Sequence, residues 1–249
     1  MYSYIYDCFL NKSKFEKTLS NIENQITDLG IKGRICRLTL LNNIKATIEE
    51  EIRKGATTIV IVGNDKTISQ AIDVIVPKNV ILGIIPIGEE NAIAELLGIP
   101  EGENACKTLS ARMIKNINLG KINDFYFIKE AIVPPTEATI KCDDKYQITY
   151  LEPKQTLHIF NYPFFDNQEN SSLITEILPE MKGFFSKMFK KTAEQKSILN
   201  ISSLYIHNSA QNIPVTVDGQ KIIKSPVIIQ KSPSKLRVIV GKNRKEDLI

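Results

Sequence analysis

Thr57-Thr58-Ile59-Val60-Ile61-Val62-Gly63-Asn64-Asp65-Lys66-Thr67-Ile68 is a buried-strand pattern that ends in a glycine turn and runs straight into a helix. A second stretch, Ile81-Leu82-Gly83-Ile84-Ile85-Pro86-Ile87-Gly88-Glu89-Glu90-Asn91-Ala92-Ile93-Ala94, repeats the arrangement one βα unit later. Continuous apolar runs of this kind suit strands of a parallel sheet covered on both faces. A helix that starts directly after such a strand offers free backbone N–H groups and a positive dipole end, which together receive an anion. Two such loops at neighbouring strand ends predict one nucleotide site built from both.

The flanking sequence extends the alternation. Tyr4 to Phe9 reads as a strand, and Ser13 with Glu16 forms a capping-box pattern before Phe15, Leu19, Ile22, Ile26 and Leu29 at helical spacing. Gly33 to Leu40 reads as a second strand. Asn42 or Asn43 then caps a helix carrying Ile44, Ile48 and Ile52 on one face. Helices are expected over Ile68 to Ile75 and Asn91 to Leu97, with another running through about Met113, and a strand over Val80 to Ile85. Strand–helix alternation implies a parallel sheet, whose ligands lie at the carboxyl ends of the strands.

Past Leu119 the pattern changes to short strands separated by turns, over Phe125–Val133, Glu137–Lys141, Tyr146–Leu151, Thr156–Tyr162, Ile198–His207, Val215–Asp218, Val227–Gln230 and Leu236–Gly241. A helical stretch is expected to interrupt them at Ser172–Lys191. The predicted fold is therefore α/β: an N-terminal parallel-sheet α/β sandwich domain over 1–120, followed by an antiparallel β-sandwich domain over 121–249. The last strands of the second domain are expected to complete the site.

Composition narrows the function classes. A net charge of +4 with no long basic stripe does not suggest a nucleic-acid partner. Four scattered cysteines and two histidines exclude a zinc-ligand pattern and give no disulfide framework, so the cysteines are expected to be reduced. The N-terminus lacks a signal pattern, since Asp7 interrupts its short strand, and no apolar run reaches the roughly 20 residues a membrane span needs. The expected location is cytoplasmic, peripheral at a membrane.

The order of motifs resembles the catalytic domain of the diacylglycerol and sphingosine kinases and their bacterial lipid-kinase relatives. Gly63-Asn64-Asp65-Lys66-Thr67 stands where that family has Gly-Gly-Asp-Gly-Thr. Pro86-Ile87-Gly88-Glu89-Glu90-Asn91 stands where it has Pro-x-Gly-Thr-x-Asn. Leu96-Leu97-Gly98-Ile99-Pro100, Ile117-Asn118-Leu119-Gly120, Val217-Asp218-Gly219-Gln220 and Ser232–Val240 follow in the family's order. The resemblance implies a two-domain kinase that transfers the γ-phosphoryl group of ATP, with Mg²⁺, to a diacylglycerol-type lipid hydroxyl. NAD kinases share a related first loop, but the second loop and the Asp-Gly strand fit lipid kinases better.

Carried over residue by residue, the resemblance gives Asp65 and Asp218 catalytic roles, with Asp218 also as metal ligand. It assigns nucleotide contacts to Thr39, Gly63, Asn64, Lys66, Thr67, Gly88, Glu89, Glu90 and Asn91. The residues themselves allow plainer roles: Asp65 as favourable charge at a helix N-terminus, and Asp218 as the Asp of an Asp-Gly hairpin turn. Asn64 and Lys66 replace glycines, Glu89 replaces threonine, and Glu90 adds a further carboxylate opposing a triphosphate. Asn118 and Gln220 stand where the family has carboxylates, and an amide is neither a general base nor a good Mg²⁺ ligand. These departures lead to a second expectation, a non-catalytic nucleotide- or lipid-binding or scaffold protein. Met181 to Lys191 mixes aromatics with lysines, giving Phe184 and Phe189 as membrane anchors on an otherwise core-facing helix. The sandwich edges offer pairing for a homodimer.

Overall fold

The four strands expected from the apolar periodicity of the first half lie in one sheet. In this computed structural model, which describes residues 1–136, 139–143, 146–149, 155–161, 173–179 and 197–245, the chain makes two compact units. The first comprises residues 1–118 and 234–245, and the second the described residues of the sequence from 119 to 233. Strands β1 (Tyr2–Tyr6), β2 (Gly33–Arg37), β3 (Thr58–Gly63) and β4 (Ile81–Pro86) are all parallel, with β1 between β2 and β3 and β4 beyond β3. Every residue of β3 and β4 is buried, as expected of strands covered on both faces.

The helices of this unit are α1 (Glu16–Asp28), α2 (Ile44–Arg53), α3 (Asp65–Ile75), α4 (Ala92–Leu96) and α5 (Ala105–Ala111). Leu19, Ile22 and Ile26 bury the inner stripe of α1, and Ile44 and Ile48 that of α2. Asn43 caps α2 by accepting from the Lys45 N–H at 2.8 Å. The capping box expected at Ser13 does not form. Ser13 sits in a 3₁₀ turn, its carbonyl accepting from the Glu16 N–H, and α1 starts only at Glu16. The α3 helix begins at Asp65, three residues before the expected Ile68, since the Asn64 backbone is extended and the turn is complete at Gly63.

One strand crosses the expected division. Leu236–Ile239 was expected among the antiparallel strands, but it inserts into the first sheet between β4 and β5 (Ile114–Ile117). Its Leu236, Val238 and Ile239 are buried there, and its pairing covers the edge that β4 would otherwise expose. Residues 241–245 then run along α4, with Gly241 N–H on Leu97 O at 2.9 Å and Lys245 N–H on Leu96 O at 3.0 Å.

The second unit holds two six-stranded sheets in which all recorded pairings are antiparallel. One runs in the order 146–149, 139–142, 203–207, 227–231, 120–122, 125–127; the other in the order 197–201, 173–179, 155–160, 130–133, 214–217, 221–224. A single apolar cluster draws on both, including Ile122, Phe127, Ile140, Leu204 and Ile229 from one and Val133, Leu157, Ile159, Val215 and Val217 from the other. Leu173–Pro179 is a strand, not the start of the expected helix at Ser172–Lys191. Leu173 and Thr175 alternate with the less buried Ile174, and the segment gains pairing on both sides, which outweighs its helical spacing. Residues 180–191 of that expected helix, Phe184 and Phe189 included, lie outside the described residues. Among the described residues no helix is long and apolar enough to cross a membrane.

Candidate functional site

The carboxyl edge of the first sheet is where β1, β2 and β3 each release a loop, and the loops enclose a cavity of about 810 Å³. Thr39, Asn64 and Lys66, all expected at a nucleotide, line it. Asp7, Cys8 and Phe9 from the β1 exit, Lys45 from α2 and Gln70 from α3 join them. Its volume falls in the range of small-molecule and cofactor sites, about 300–1,000 Å³.

The two glycine loops are knitted together beneath this edge. Ile87 N–H donates to Gly63 O at 3.0 Å, and Asp65 N–H donates to Glu90 O at 2.9 Å. The buried Asp65 carboxylate accepts the Ile93 N–H at 3.1 and 3.3 Å through its two oxygens, holding the first turn of α4. Gly63 has no room for a side chain, because a Cβ there would lie 2.9 Å from Thr67 Oγ1. The Thr67 hydroxyl, expected to donate to a phosphate, donates instead to the Asp7 carboxylate. Asp7 also accepts the Phe9 N–H at 3.0 Å, capping the short 3₁₀ turn after β1. A carboxylate of this chain thus occupies the donor at the start of α3. Burial pushes the neighbouring Cys8 thiol up, and its bond to Asp7 pushes the same way.

The second loop is more exposed. Gly88 takes a positive φ of +91° with the Phe9 ring 3.2 Å from where a Cβ would stand, so no other residue fits comfortably. Glu89 and Glu90 are exposed, Glu90 at φ 64°, and neither lines the cavity. Asn91 spends its amide N–H groups on Gly88 O at 2.8 Å and Glu101 Oε1 at 3.3 Å. Its Oδ1 is buried without a hydrogen-bond partner. Thr39 is exposed at the cavity wall, its hydroxyl donating to Asn42 Oδ1 at 3.2 Å.

In the second unit, Asp218 and Gly219 turn the hairpin between strands 214–217 and 221–224 with φ values of 49° and 69°, the left-handed pair of a tight hairpin turn. The Asp218 carboxylate is buried and accepts three backbone N–H groups: Ile128 at 2.8 Å, Lys129 at 2.7 Å and Glu130 at 3.0 Å. Burial pushes its carboxyl up and the three N–H bonds pull it back. In the same unit, burial pushes the Lys231 ammonium down to about 8.

These observations test the ATP and Mg²⁺ expectation. The cavity has the size, the Phe9 ring and the polar Thr39 and Asn64 side chains that suit a nucleoside. The phosphate end does not fit as well, because Asp7 holds the Thr67 hydroxyl. Among the described residues no cluster of three or more His, Cys, Asp or Glu side chains is placed to hold a metal. Sequence reasoning missed Asp7, Phe9 and Lys45. Asp7 had a usable signal, a carboxylate placed directly after the first buried strand and so at the same sheet edge as Gly63.

A parallel sheet with paired glycine loops at its carboxyl edge, together with an antiparallel double sheet, is the architecture to compare with known proteins. Residues 5–122 match the family model of the diacylglycerol kinase catalytic domain, and over that span the chain is similar to that domain. A diacylglycerol kinase of Bacillus subtilis is 26% identical over 131 residues, covering 51% of this chain and 43% of that protein. An uncharacterised protein of Synechocystis is 33% identical over 86 residues, covering 34% of this chain and 20% of that one. The matches thus span less than half the length of either relative. A solved structure of a diacylglycerol kinase from Bacillus anthracis superposes with a TM-score of 0.75 at 16% identity, covering 97% of each chain. A second structure from the same organism, described as a candidate diacylglycerol kinase, gives 0.77 at 14% identity over 98% of each chain. At these identities the structural likeness establishes the fold.

Proposed function

We propose that this protein is a divergent lipid-kinase relative that binds a nucleotide at the carboxyl edge of its parallel sheet, and in which transfer to a lipid hydroxyl is slow or absent. The observation that carries the reading is the 810 Å³ cavity, which gathers Thr39, Asn64 and Lys66 where the α/β topology predicts a ligand. The kinship over residues 5–122 supports ATP as the nucleotide and a diacylglycerol-type hydroxyl as the family's acceptor. Three observations weigh against efficient transfer. Asp7 engages the Thr67 hydroxyl, Asp218 gives its carboxylate to three backbone N–H groups, and Asn118 and Gln220 are amides.

Within this chain, the work of the site is binding and positioning. Phe9 and Thr39 would flank the nucleoside, and Lys66, exposed at the start of α3, would meet the phosphate chain. The carboxylates of Asp65 and Asp218 hold loops. A second reading, an active ATP-dependent kinase with altered site chemistry, is favoured by the presence of Gly63, Asp65, Thr67, Asn91 and Asp218.

Calorimetric titration with ATP, with and without Mg²⁺, followed by a diacylglycerol phosphorylation assay, tests both readings. Micromolar binding with little turnover supports the first. Robust turnover abolished by both Asp65→Asn and Asp218→Asn supports the second. No binding at millimolar ATP removes the nucleotide from either.

A further inference from the structure

The turn that follows β2 exposes two adjacent leucines at the rim of the cavity. Leu40 and Leu41 are 93% and 95% exposed, the highest values among the large apolar side chains of the described residues. They are the central pair of a turn closed by Asn42 N–H on Thr39 O at 3.2 Å and by the Thr39 hydroxyl on Asn42 Oδ1 at 3.2 Å. Both ends of the turn are fixed. Leu38 is buried, its N–H on Tyr6 O at 2.9 Å and its carbonyl accepting from Asn11 Nδ2 at 2.9 Å, and Asn43 caps α2 on the other side. The leucines therefore project from a built loop. Glycine, proline and short polar side chains ordinarily fill the centre of a turn, because each assists the backbone there. Two leucines do neither, and in water their side chains gain nothing.

The surroundings of the tip are cationic. Lys45 and Lys66 line the same cavity as Leu40 and Leu41, and the exposed Lys12 follows Asn11, which is tied to Leu38. Lys14 lies over the Phe15 ring, which meets Phe9 edge-on. The cavity's one carboxylate, Asp7, is engaged by Thr67 and Phe9, and Asp73 is paired with Lys45 at 3.1 Å. The exposed carboxylates of Glu89 and Glu90 belong to the next loop, on the Gly88 side of Phe9.

From this juxtaposition we infer that the Thr39–Asn42 turn is a membrane-insertion tip: Leu40 and Leu41 enter the acyl boundary of an anionic bilayer while Lys12 and Lys45 meet its headgroups. An apolar tip with lysines on neighbouring segments combines the two forces that hold a peripheral protein to anionic lipid. The choice of a bilayer as partner rests on the lipid-directed reading above. The surface itself needs neither nucleotide nor turnover.

The test is co-sedimentation with vesicles of 70% phosphatidylcholine and 30% phosphatidylglycerol, without nucleotide. The intact protein should sediment with them, and less with phosphatidylcholine alone. Leu40→Asn/Leu41→Asn should weaken partitioning at least about tenfold, the scale set by withdrawing two leucines from an apolar phase. These side chains pack on little, so the variant should keep the wild-type melting profile, which is checked by circular dichroism. A Leu40→Trp reporter should shift its emission to the blue on adding the same vesicles. The inference is overturned if the protein does not partition, if the double variant partitions equally, or if the leucines pair two copies, seen as lipid-free self-association that the double variant abolishes. Because binding is read without ATP, a failed nucleotide titration leaves this result standing, and a failed partitioning leaves the nucleotide reading standing.

Discussion

The Asp7→Asn substitution tests the claim that a carboxylate of this chain competes with a phosphate at the start of α3. Asp7 accepts the Thr67 hydroxyl through Oδ2 and the Phe9 N–H through Oδ1 at 3.0 Å. Asparagine keeps a carbonyl oxygen for the Phe9 N–H and removes the charge. Two like unit charges about 4 Å apart repel by roughly 1 kcal/mol in water and about 4 kcal/mol at an effective dielectric near 20. Asp7 is half-buried at an open cavity, so its effect lies toward the lower value. One kilocalorie corresponds to about a fivefold change in affinity, so ATP should bind at least about fivefold more tightly to the variant. The gain should shrink in high salt, since the repulsion is partly screened. Calorimetry at low and high ionic strength reads both, and a thermal scan checks that the 3₁₀ turn is retained. An affinity unchanged within twofold, or weakened, would refute the reasoning and place the phosphate chain elsewhere.

Asp218→Ala should destabilise the second unit by about 2–4 kcal/mol, because it strands three backbone N–H donors in a buried turn; chemical denaturation measures it, and a loss under about 1 kcal/mol would contradict the three-bond geometry. Asp65→Ala should cost about 1–3 kcal/mol by orphaning the Ile93 N–H, with Asp65→Asn recovering most of it; equal losses in both variants would mean that the charge matters more than the acceptor. Lys231 supplies a pH signature. Its ammonium titrates near 8 in the fold against an ordinary value of 10.5, so between these pH values the folded state binds fewer protons than the unfolded one. Stability should therefore rise with pH across that window, and Lys231→Met should flatten the rise in denaturant midpoints measured from pH 7.5 to 10.5.

Much of the first unit was legible because its signals are local. The apolar runs of β3 and β4 are long enough to be read without alternation, and the turns that end them carry glycine. Asn43 could be read as a cap because capping needs only neighbouring residues. What escaped depends on pairing between distant segments. Leu236–Ile239 carries no sign of which sheet it joins, and only its register with Ile114–Ile117 and Leu82 decides the matter. Leu173–Pro179 has apolar residues at both spacings, and pairing with strands on either side resolves it as extended. At the site, the resemblance named Thr39, Asn64 and Lys66, and the topology brings the strand ends that carry them to one edge. The position of Asp7 after the first strand puts it at that edge, but its role was hidden, since it comes from a hydroxyl 60 positions away in the chain.

The two aspartates assigned to catalysis by motif illustrate how a motif can persist for structural reasons. Asp65 ties the first glycine loop to α4, and Asp218 ties a hairpin to the 128–130 segment. Each bond is made to backbone N–H groups, which every residue but proline supplies, so the partner's side chain is free to vary while the aspartate is not. A carboxylate used in this way resists replacement whether or not a phosphoryl group is ever transferred. The amides Asn118 and Gln220 and the carboxylates Glu89 and Glu90 depart from the pattern that the resemblance implies. A Gln220→Glu/Asn118→Asp double variant changes charge without touching either aspartate clasp. If lost carboxylates limit transfer, that variant should raise phosphorylation of diacylglycerol above the wild-type level. Unchanged turnover, with ATP still bound, would locate the limit at Asp7 and Thr67.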